Sequence, residues 1–436
     1  MKFTFLIKYS SEVFTKSEST SKWFISILKS NLKNSFKNAK IILKRDKGII
    51  QTDEDISDKL KNVFGISSFS KVYIIQFKDF DELIEKAYDF FKYRIKDNFK
   101  VKCKRKGNHN FHSYDVEKSL GEKLSNLAKV NIKEPKYIAY IEIDSNNAYL
   151  FDEKIKCYGG FPISSQGEAL VLLSGGIDSA VSVFYAYKMG IRCDFLFYDL
   201  GGETINYAFN VYKFLTNKFL TYGNFYYVDF KPIIFEIIRN VKDNYRNVVL
   251  KVIFYKIANE IAKKLNIKAI ITGESIGQVS TQTLDNLSIL NEFSEIFIIR
   301  PLIAFTKEEI ISKAMELEIF DLCYKGKEYC AISRHSAVVS ANKEKLLYFL
   351  SKVPNEVVKN AIDSFKVIEN LQVNENKAKN YDILIDLDKI NLEEFLKNLD
   401  KLDKSKVYLL KCRRGQLSSI IANEMRKMGF KVVDSQ

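Results

Sequence analysis

At 436 residues the chain is too long for one compact core, and the usual size of a folding unit divides it into about three domains. Hydrophobic residues make up 46% and proline fills only 5 positions, which excludes a disordered or linker-dominated chain, while no apolar run reaches the ~18–20 residues that span a bilayer. The net charge is +14, of which +10 sits in residues 1–165, where 31 Lys and Arg face 21 Asp and Glu; such an excess suits a polyanion partner, although solubility alone also explains a lysine-rich chain.

Alternating Phe3, Phe5 and Ile7 predict a half-buried strand over 2–9, and apolar spacing predicts an amphipathic helix over 21–36. A helix over 79–93, a strongly basic strand over 100–106 and a helix over 113–127 follow. Strands 137–144 and 148–151 flank a Ser145-Asn146-Asn147 turn, so this region reads as α+β. The pattern breaks at Gly159-Gly160-Phe161-Pro162. Beyond it, strands and helices alternate: strand 169–173, helix 178–189 stopped by Gly190, strands 193–198 and 225–230, helix 248–265, strands 269–272 and 296–300. That alternation predicts a doubly wound parallel sheet, an α/β fold. After Ser340 a charged helical stretch is expected to about residue 380, then strands 383–387 and 407–412 and a helix over 416–429, a unit too small to be more than marginal alone.

The start, Met1-Lys2-Phe3-Thr4, lacks the layout of a secretion signal, so the expected compartment is the cytoplasm, with no membrane partner. Six cysteines are scattered without paired short spacing and only three histidines accompany them, which predicts no metal site built by the protein. In a reducing cytosol most such cysteines are buried small hydrophobes, and four of the six read that way.

Four segments carry chemistry. Ser174-Gly175-Gly176-Ile177-Asp178-Ser179 joins an apolar strand to an amphipathic helix, so its backbone N–H groups and the helix dipole suit a phosphate. It is neither a Walker A loop nor a dinucleotide turn. Thr272 to Thr283 is a glycine- and hydroxyl-rich turn after another buried strand, where open α/β sheets bind ligands. Glu328 to Ser333 contains Cys330, and Leu410 to Ser418 contains Cys412 between a strand end and a helix start, beside Arg413 and Arg414, surroundings that favour a reactive thiolate.

Together the four segments closely resemble the tRNA 4-thiouridine synthetases, sulfurtransferases of the PP-loop ATP pyrophosphatase group, along nearly the whole chain. The resemblance implies five parts: a ferredoxin-like domain over 1–55, a THUMP RNA-binding domain over 56–165 with Lys102, Lys104, Arg105 and Lys106 as RNA contacts, a PP-loop domain over 166–345, a helical linker over 346–379, and a trimmed rhodanese-like unit over 380–436. It implies ATP contacts at Leu172, Leu173, Ser174, Gly175, Gly176, Ser179, Lys251, Gly273 and Gln282, an ordering role for Asp178, a persulfide carrier in Cys412 and a resolving thiol in Cys330. ATP with Mg²⁺, tRNA, a cysteine desulfurase that keeps its own PLP, and a cellular reductant are the implied cofactors and partners. The implied product is 4-thiouridine at position eight of tRNA, and some relatives also supply sulfur to thiamine's thiazole. A homodimer stays open. The rival readings are another PP-loop RNA thiolase, which needs neither the basic module nor Cys412, and a non-catalytic tRNA-binding protein.

Overall fold

A computed structural model describes residues 2–201, 204–323, 332–333, 337–370, 381–412 and 415–434. They form two compact units, one of residues to Ser165 with Lys188–Gly190 and Lys218–Leu220, the other of the remainder.

The first unit holds two sheets. Strand Phe3–Tyr9 lies between Gly48–Thr52 and Ile66–Lys71, with Lys40–Leu43 and Ile155–Lys156 at the edges, all pairs antiparallel. Helix Glu18–Ser35, capped where Ser17 accepts the Thr20 N–H, buries Phe24, Leu28 and Leu32 in one core with Phe5, Ile7 and Phe69. Those three recur at four-residue spacing, which sets one helix face toward the sheet. Because Ile66–Lys71 belongs to this sheet, the ferredoxin-like part runs beyond the expected boundary at residue 55; pairing with Phe3–Tyr9 is a long-range fact that local pattern does not carry.

The second sheet runs Tyr73–Gln76, Asn147–Phe151, Tyr137–Asp144, Phe99–Lys106, with only the last pair parallel. Helices Phe80–Phe91 and Ser113–Leu124 share its core: Leu83, Ala87, Phe91, Val116 and Leu120 are fully buried with Phe99, Cys103 and Ile141.

The second unit is built on a six-stranded sheet in the order Phe297–Ile299, Ala269–Ile271, Glu168–Leu172, Arg192–Asp199, Phe225–Asp229, Lys366–Val367. All pairs are parallel except the last. The chain starts at the centre, builds outward on one side and returns on the other, so the direction of travel switches between Glu168–Leu172 and Ala269–Ile271. The crevice outside the carboxyl ends at such a switch is where sheets of this kind bind ligands. Helix Arg246–Lys264 is buried nearly all round, with Val248, Val249, Leu250, Val252, Ile253, Ile257 and Ile261 in the core, as a helix with apolar residues on every face must be.

The stretch after Ser340, expected to be helical, is built from two short helices and a strand. It forms helices Lys343–Leu350 and Asn355–Asp363 and then the strand Lys366–Val367, antiparallel to Phe225–Asp229, with the Ile368 N–H donating to the Phe225 carbonyl at 2.8 Å. Pro354 separates the helices, and Phe365 packs against Tyr226 to seat the strand. Residues 371–380 lie outside the described residues.

The tail is a three-stranded parallel sheet, Ile383–Asp386, Val407–Lys411, Lys431–Asp434, with helices Leu392–Lys397 and Gln416–Lys427. Leu387, Leu396, Tyr408, Leu410, Ile421 and Met425 join the same core as Ile234, Ile237 and Ile238 of helix Lys231–Asn240. Arg246, 2% exposed, ties the parts: its guanidinium donates to the Ile238 and Val241 carbonyls at 2.9 and 3.1 Å, and pairs with Asp243 at 2.8 Å and with Glu393 of the tail at 2.9 Å.

Candidate active site

The loop after Glu168–Leu172 turns where Gly175 takes a φ of +80°, and a Cβ there would meet the Ala208 nitrogen at 2.7 Å. Only glycine enters that conformation without strain and leaves room. Ser174 Oγ accepts the Gly176 N–H at 3.3 Å, and Ser179 Oγ donates to the Gly176 carbonyl at 2.9 Å, fixing the turn at the start of helix Ile177–Lys188. On the other side of the switch, Gly273 follows Ala269–Ile271; a Cβ there would lie 2.7 Å from the Asp178 carbonyl carbon and the Ser179 nitrogen. The two loops therefore close on each other at a glycine contact.

Between them lies a cavity of about 350 Å³. Of the residues predicted from sequence, Leu172, Leu173, Ser174, Gly176, Asp178, Ser179, Lys251, Gly273 and Gln282 line it, and Gly175 shapes the loop from behind. Gln282 Oε1 accepts the Ser275 N–H at 3.4 Å, closing the second loop on itself.

The strongest electrostatic feature was not predicted. Glu274, 5% exposed, accepts from Lys251 Nζ at 2.9 Å, Tyr255 Oη at 2.5 Å, Arg300 Nε at 2.8 Å and Thr272 Oγ1 at 3.2 Å. Burial by itself would raise the carboxyl, but Lys251, Arg300 and the Tyr255 hydroxyl hold it down at about 2. One carboxylate against two cations leaves a net positive charge where Lys251 meets the cavity, which complements a polyphosphate. At the rim, Lys307 Nζ pairs with Asp178 Oδ1 at 2.6 Å. Phe197 and Tyr198, at the carboxyl end of strand Arg192–Asp199, also line the cavity, as does Asn247. Strand-end position marks the two aromatics in sequence, and Glu274 stands out as a carboxylate beside an apolar strand; nothing local marks Lys307, 129 positions from Asp178.

Cys412 follows strand Val407–Lys411 and is half-buried. Its Sγ accepts the Ser418 backbone N–H at 3.3 Å and donates to Ser418 Oγ at 3.4 Å, which donates in turn to the Gly415 carbonyl at 2.9 Å. Gly415, at φ +67°, turns the chain into helix Gln416–Lys427, so the sulfur sits at a helix start with a main-chain donor aimed at it. Cys103, Cys157, Cys193 and Cys323 are buried. Burial pushes the thiols of Cys103 and Cys157 up to about 12 and raises that of Cys193, which makes them inert. Cys330, Arg413 and Arg414 lie outside the described residues. Two positions after Cys330, the Ile332 N–H donates to Asn247 Oδ1 at 3.0 Å and the Ser333 N–H to the same oxygen at 3.2 Å, so the chain is held there to a residue of the cavity wall.

In the first unit, strand alternation puts Lys102, Lys104 and Lys106 on one face of Phe99–Lys106, all exposed. Arg105 points to the other, donating to the Gly107 carbonyl at 2.9 Å and contacting His109 Nδ1 at 3.1 Å. Lys154 Nζ lies 4.3 Å from the Tyr140 ring centroid, and Tyr140 is the register partner of Lys102. Partial burial lowers the Lys154 ammonium, and Lys102, Lys104 and Lys8 push the same way against Glu142. Four ammonium groups thus share one local field.

A phosphate-type loop at the switch point of a parallel sheet, in a chain that also carries a separate lysine-faced α+β unit, defines a nucleotide-using α/β enzyme of the PP-loop class with an RNA-binding type of module. Comparison with known proteins agrees part by part: residues 4–70 match the ThiI ferredoxin-like domain, 77–153 the THUMP domain, and 164–353 the family described as Thiamine biosynthesis protein (ThiI). The tRNA sulfurtransferase of Desulfurococcus amylolyticus is 31% identical, the alignment covering 98% of this chain and 96% of that one; that of Yersinia enterocolitica is 32% identical, covering 98% of each. A crystal structure of a 4-thiouridine synthetase–RNA complex with bound ATP superposes with a TM-score of 0.75 at 26% identity, covering 85% of this chain and all of that one. The chain belongs to the tRNA sulfurtransferase family.

Proposed function

We propose that this enzyme activates a tRNA uridine with ATP and replaces its 4-oxygen with sulfur, at position eight, in the cytoplasm. The observation that carries the reading is the cavity at the switch point, where the Ser174–Ser179 loop, Lys251 and Gly273 converge, in a chain similar over its length to tRNA sulfurtransferases. The solved relative holds ATP and RNA, and the same ligands suit this cavity and this lysine face.

The uracil 4-carbonyl has no leaving group, so displacement by sulfur needs its oxygen activated first. Attack of O4 on the α-phosphorus breaks the bond to the β-phosphate and releases pyrophosphate, while the N3 proton goes to water. The Ser174–Ser179 main chain holds the leaving phosphates, Lys251 offsets their charge, and Asp178 orders the phosphate end of the cavity. Mg²⁺ bound with the nucleotide would offset the phosphate charge, and Asp178, a carboxylate of the phosphate loop that lines the cavity, would be the residue to help hold it.

A persulfide on Cys412, loaded by a cysteine desulfurase, supplies the sulfur: its terminal sulfur attacks C4 and AMP leaves with O4. The Cys330 thiolate then attacks Cys412 Sγ, freeing 4-thiouridine and leaving a Cys330–Cys412 disulfide for a cellular reductant to open. The half-buried Cys412 sulfur with its main-chain donor supports the carrier role, and the anchoring of Ile332 and Ser333 to Asn247 supports a resolving thiol near the nucleotide. The same persulfide suits donation to thiamine's thiazole, the pathway named in the matched family. Lys102, Lys104 and Lys106 would meet tRNA phosphates. The test is ATP-dependent transfer of labelled sulfur from the desulfurase to unmodified tRNA with nucleoside mass analysis; absence of 4-thiouridine in a complete reaction refutes the assignment.

A further inference from the structure

The loop Gly273–Gln282 separates two cavities. Its ends, Gly273, Glu274, Thr281 and Gln282, line the ATP cavity; its tip, from Ser275 to Gln278, lines a second, open space of about 410 Å³ bounded on its other side by residues 303–307. Lys307 lines both, and its ammonium rests on Asp178 of the phosphate loop, so the two spaces adjoin at the phosphate end.

The floor of the second cavity is fixed and mostly apolar. Ser275 Oγ donates to the Phe305 carbonyl at 2.8 Å, the Ile276 N–H donates to the Ile303 carbonyl at 3.2 Å, and Phe305 packs on Tyr185 with ring centroids 5.1 Å apart. One polar group there is unsatisfied: Gln278 Nε2 is shielded from solvent and has no hydrogen-bond partner. A buried donor left unpaired is unfavourable, and a ligand's acceptor would satisfy it. An anion suits the space poorly, because its one ammonium, Lys307, is already paired with Asp178.

We propose that this second cavity is the pocket for the target uracil, flipped out of the tRNA, with the Gln278 amide turning into the space to read its N3–H and O2 edge and Ile276 covering a face of the ring. The proposal rests on the thiolation reading above. A side-chain amide donates to O2 and accepts from N3–H, which leaves O4 unengaged and able to reach the neighbouring cavity. Cytosine has no N3 proton for the amide oxygen and no 4-oxygen to activate, so the same contact sets specificity. Ile276, 46% exposed at the tip, offers an apolar surface to a planar ring.

The test uses the full chain and tRNA already bearing 4-thiouridine, which is itself a near-ultraviolet crosslinker and reports position without turnover. In the wild type the crosslink should map to residues 275–278 or 303–307. Ala304→Trp, at an exposed position on the cavity wall, should abolish that crosslink and lower thiolation about a hundredfold, with ATP affinity and overall tRNA affinity within about threefold of wild type. Gln278→Ala should lower single-turnover thiolation at least about tenfold, with Gln278→Glu no better. A crosslink confined to other segments, or wild-type thiolation by Ala304→Trp, would overturn the pocket. A wild-type enzyme that crosslinks here but makes no 4-thiouridine would instead refute the function and leave the base-binding site standing.

Discussion

Replacing Glu274 with glutamine keeps the shape of the side chain and removes the charge that two buried cations share. The ordinary carboxyl value of 4.5 falls to about 2 in the folded protein, a preference for the ionised form of about 3 kcal/mol. Removing one member of a buried ionic group costs about 3–5 kcal/mol, because Lys251 and Arg300 then face one amide oxygen. At roughly 2–4 °C per kcal/mol for a unit of this size, the melting transition of the second unit should drop by about 6–20 °C. Scanning calorimetry of the full chain at neutral pH measures it, and added ATP identifies the transition, since a ligand stabilises the unit that binds it. The sign in pH follows from the depressed value: the contribution is fully present above about 4.5 and is lost as the pH falls toward about 2. Glu274→Gln should lack that component of acid destabilisation and should bind ATP more weakly, because Lys251 loses the partner that fixes its ammonium. A transition within 1 °C of wild type, or the same acid slope in both proteins, would refute the assignment of Glu274 as the organiser of this wall.

Four further outcomes are expected. Asp178→Ala should lower thiolation by about a hundredfold or more while changing tRNA affinity less than threefold; retention of a tenth of the activity counts against the phosphate loop. The double change Lys102→Ala with Lys104→Ala should weaken tRNA binding and flatten the log–log salt dependence by roughly 0.7–0.9 per lysine, as read by filter binding from low to high salt; an unchanged slope removes that face from the interface. After one turnover without reductant, peptide mapping should find a Cys330–Cys412 crosslink, and Cys330→Ala should load sulfur on Cys412 yet fail to cycle; full multiple turnover by Cys412→Ala rejects the carrier role. Cys157→Ala should thiolate at the wild-type rate, because its buried thiol, pushed up to about 12, contributes no thiolate near neutral pH.

How far the sequence carried this picture depended on the range over which each feature is encoded. The Ser174–Ser179 loop was legible because its whole mechanism is local: an apolar strand, two glycines and a helix start within a few residues. The strand Lys366–Val367 was not, since a two-residue strand has no periodicity to detect, and only its pairing with Phe225–Asp229 defines it. Alternation along Phe99–Lys106 sets Lys102, Lys104 and Lys106 on one side and Arg105 on the other, toward His109, a division that the reading of a basic strand with four RNA contacts did not draw. Glu274 belongs to an intermediate class. Its residue type beside Gly273 was visible, whereas Lys251, Tyr255 and Arg300 reach it from two other elements.

The tail makes the same point energetically. From sequence, Leu410 to Ser418 gives a cysteine between a strand and a helix, and the structure adds the Ser418 N–H that faces its sulfur. A three-stranded sheet of this size buries too little to stand alone, so its stability must come from a neighbour. That neighbour is helix Lys231–Asn240 and the guanidinium of Arg246, 147 positions from Glu393. Because Arg246 also holds Asp243 and two main-chain carbonyls, losing Glu393 alone leaves it satisfied, whereas losing Arg246 leaves those carbonyls without their donor. The docking of the cysteine-bearing tail is therefore written mainly in the PP-loop domain, and a cysteine motif read in isolation says nothing of what holds it in place.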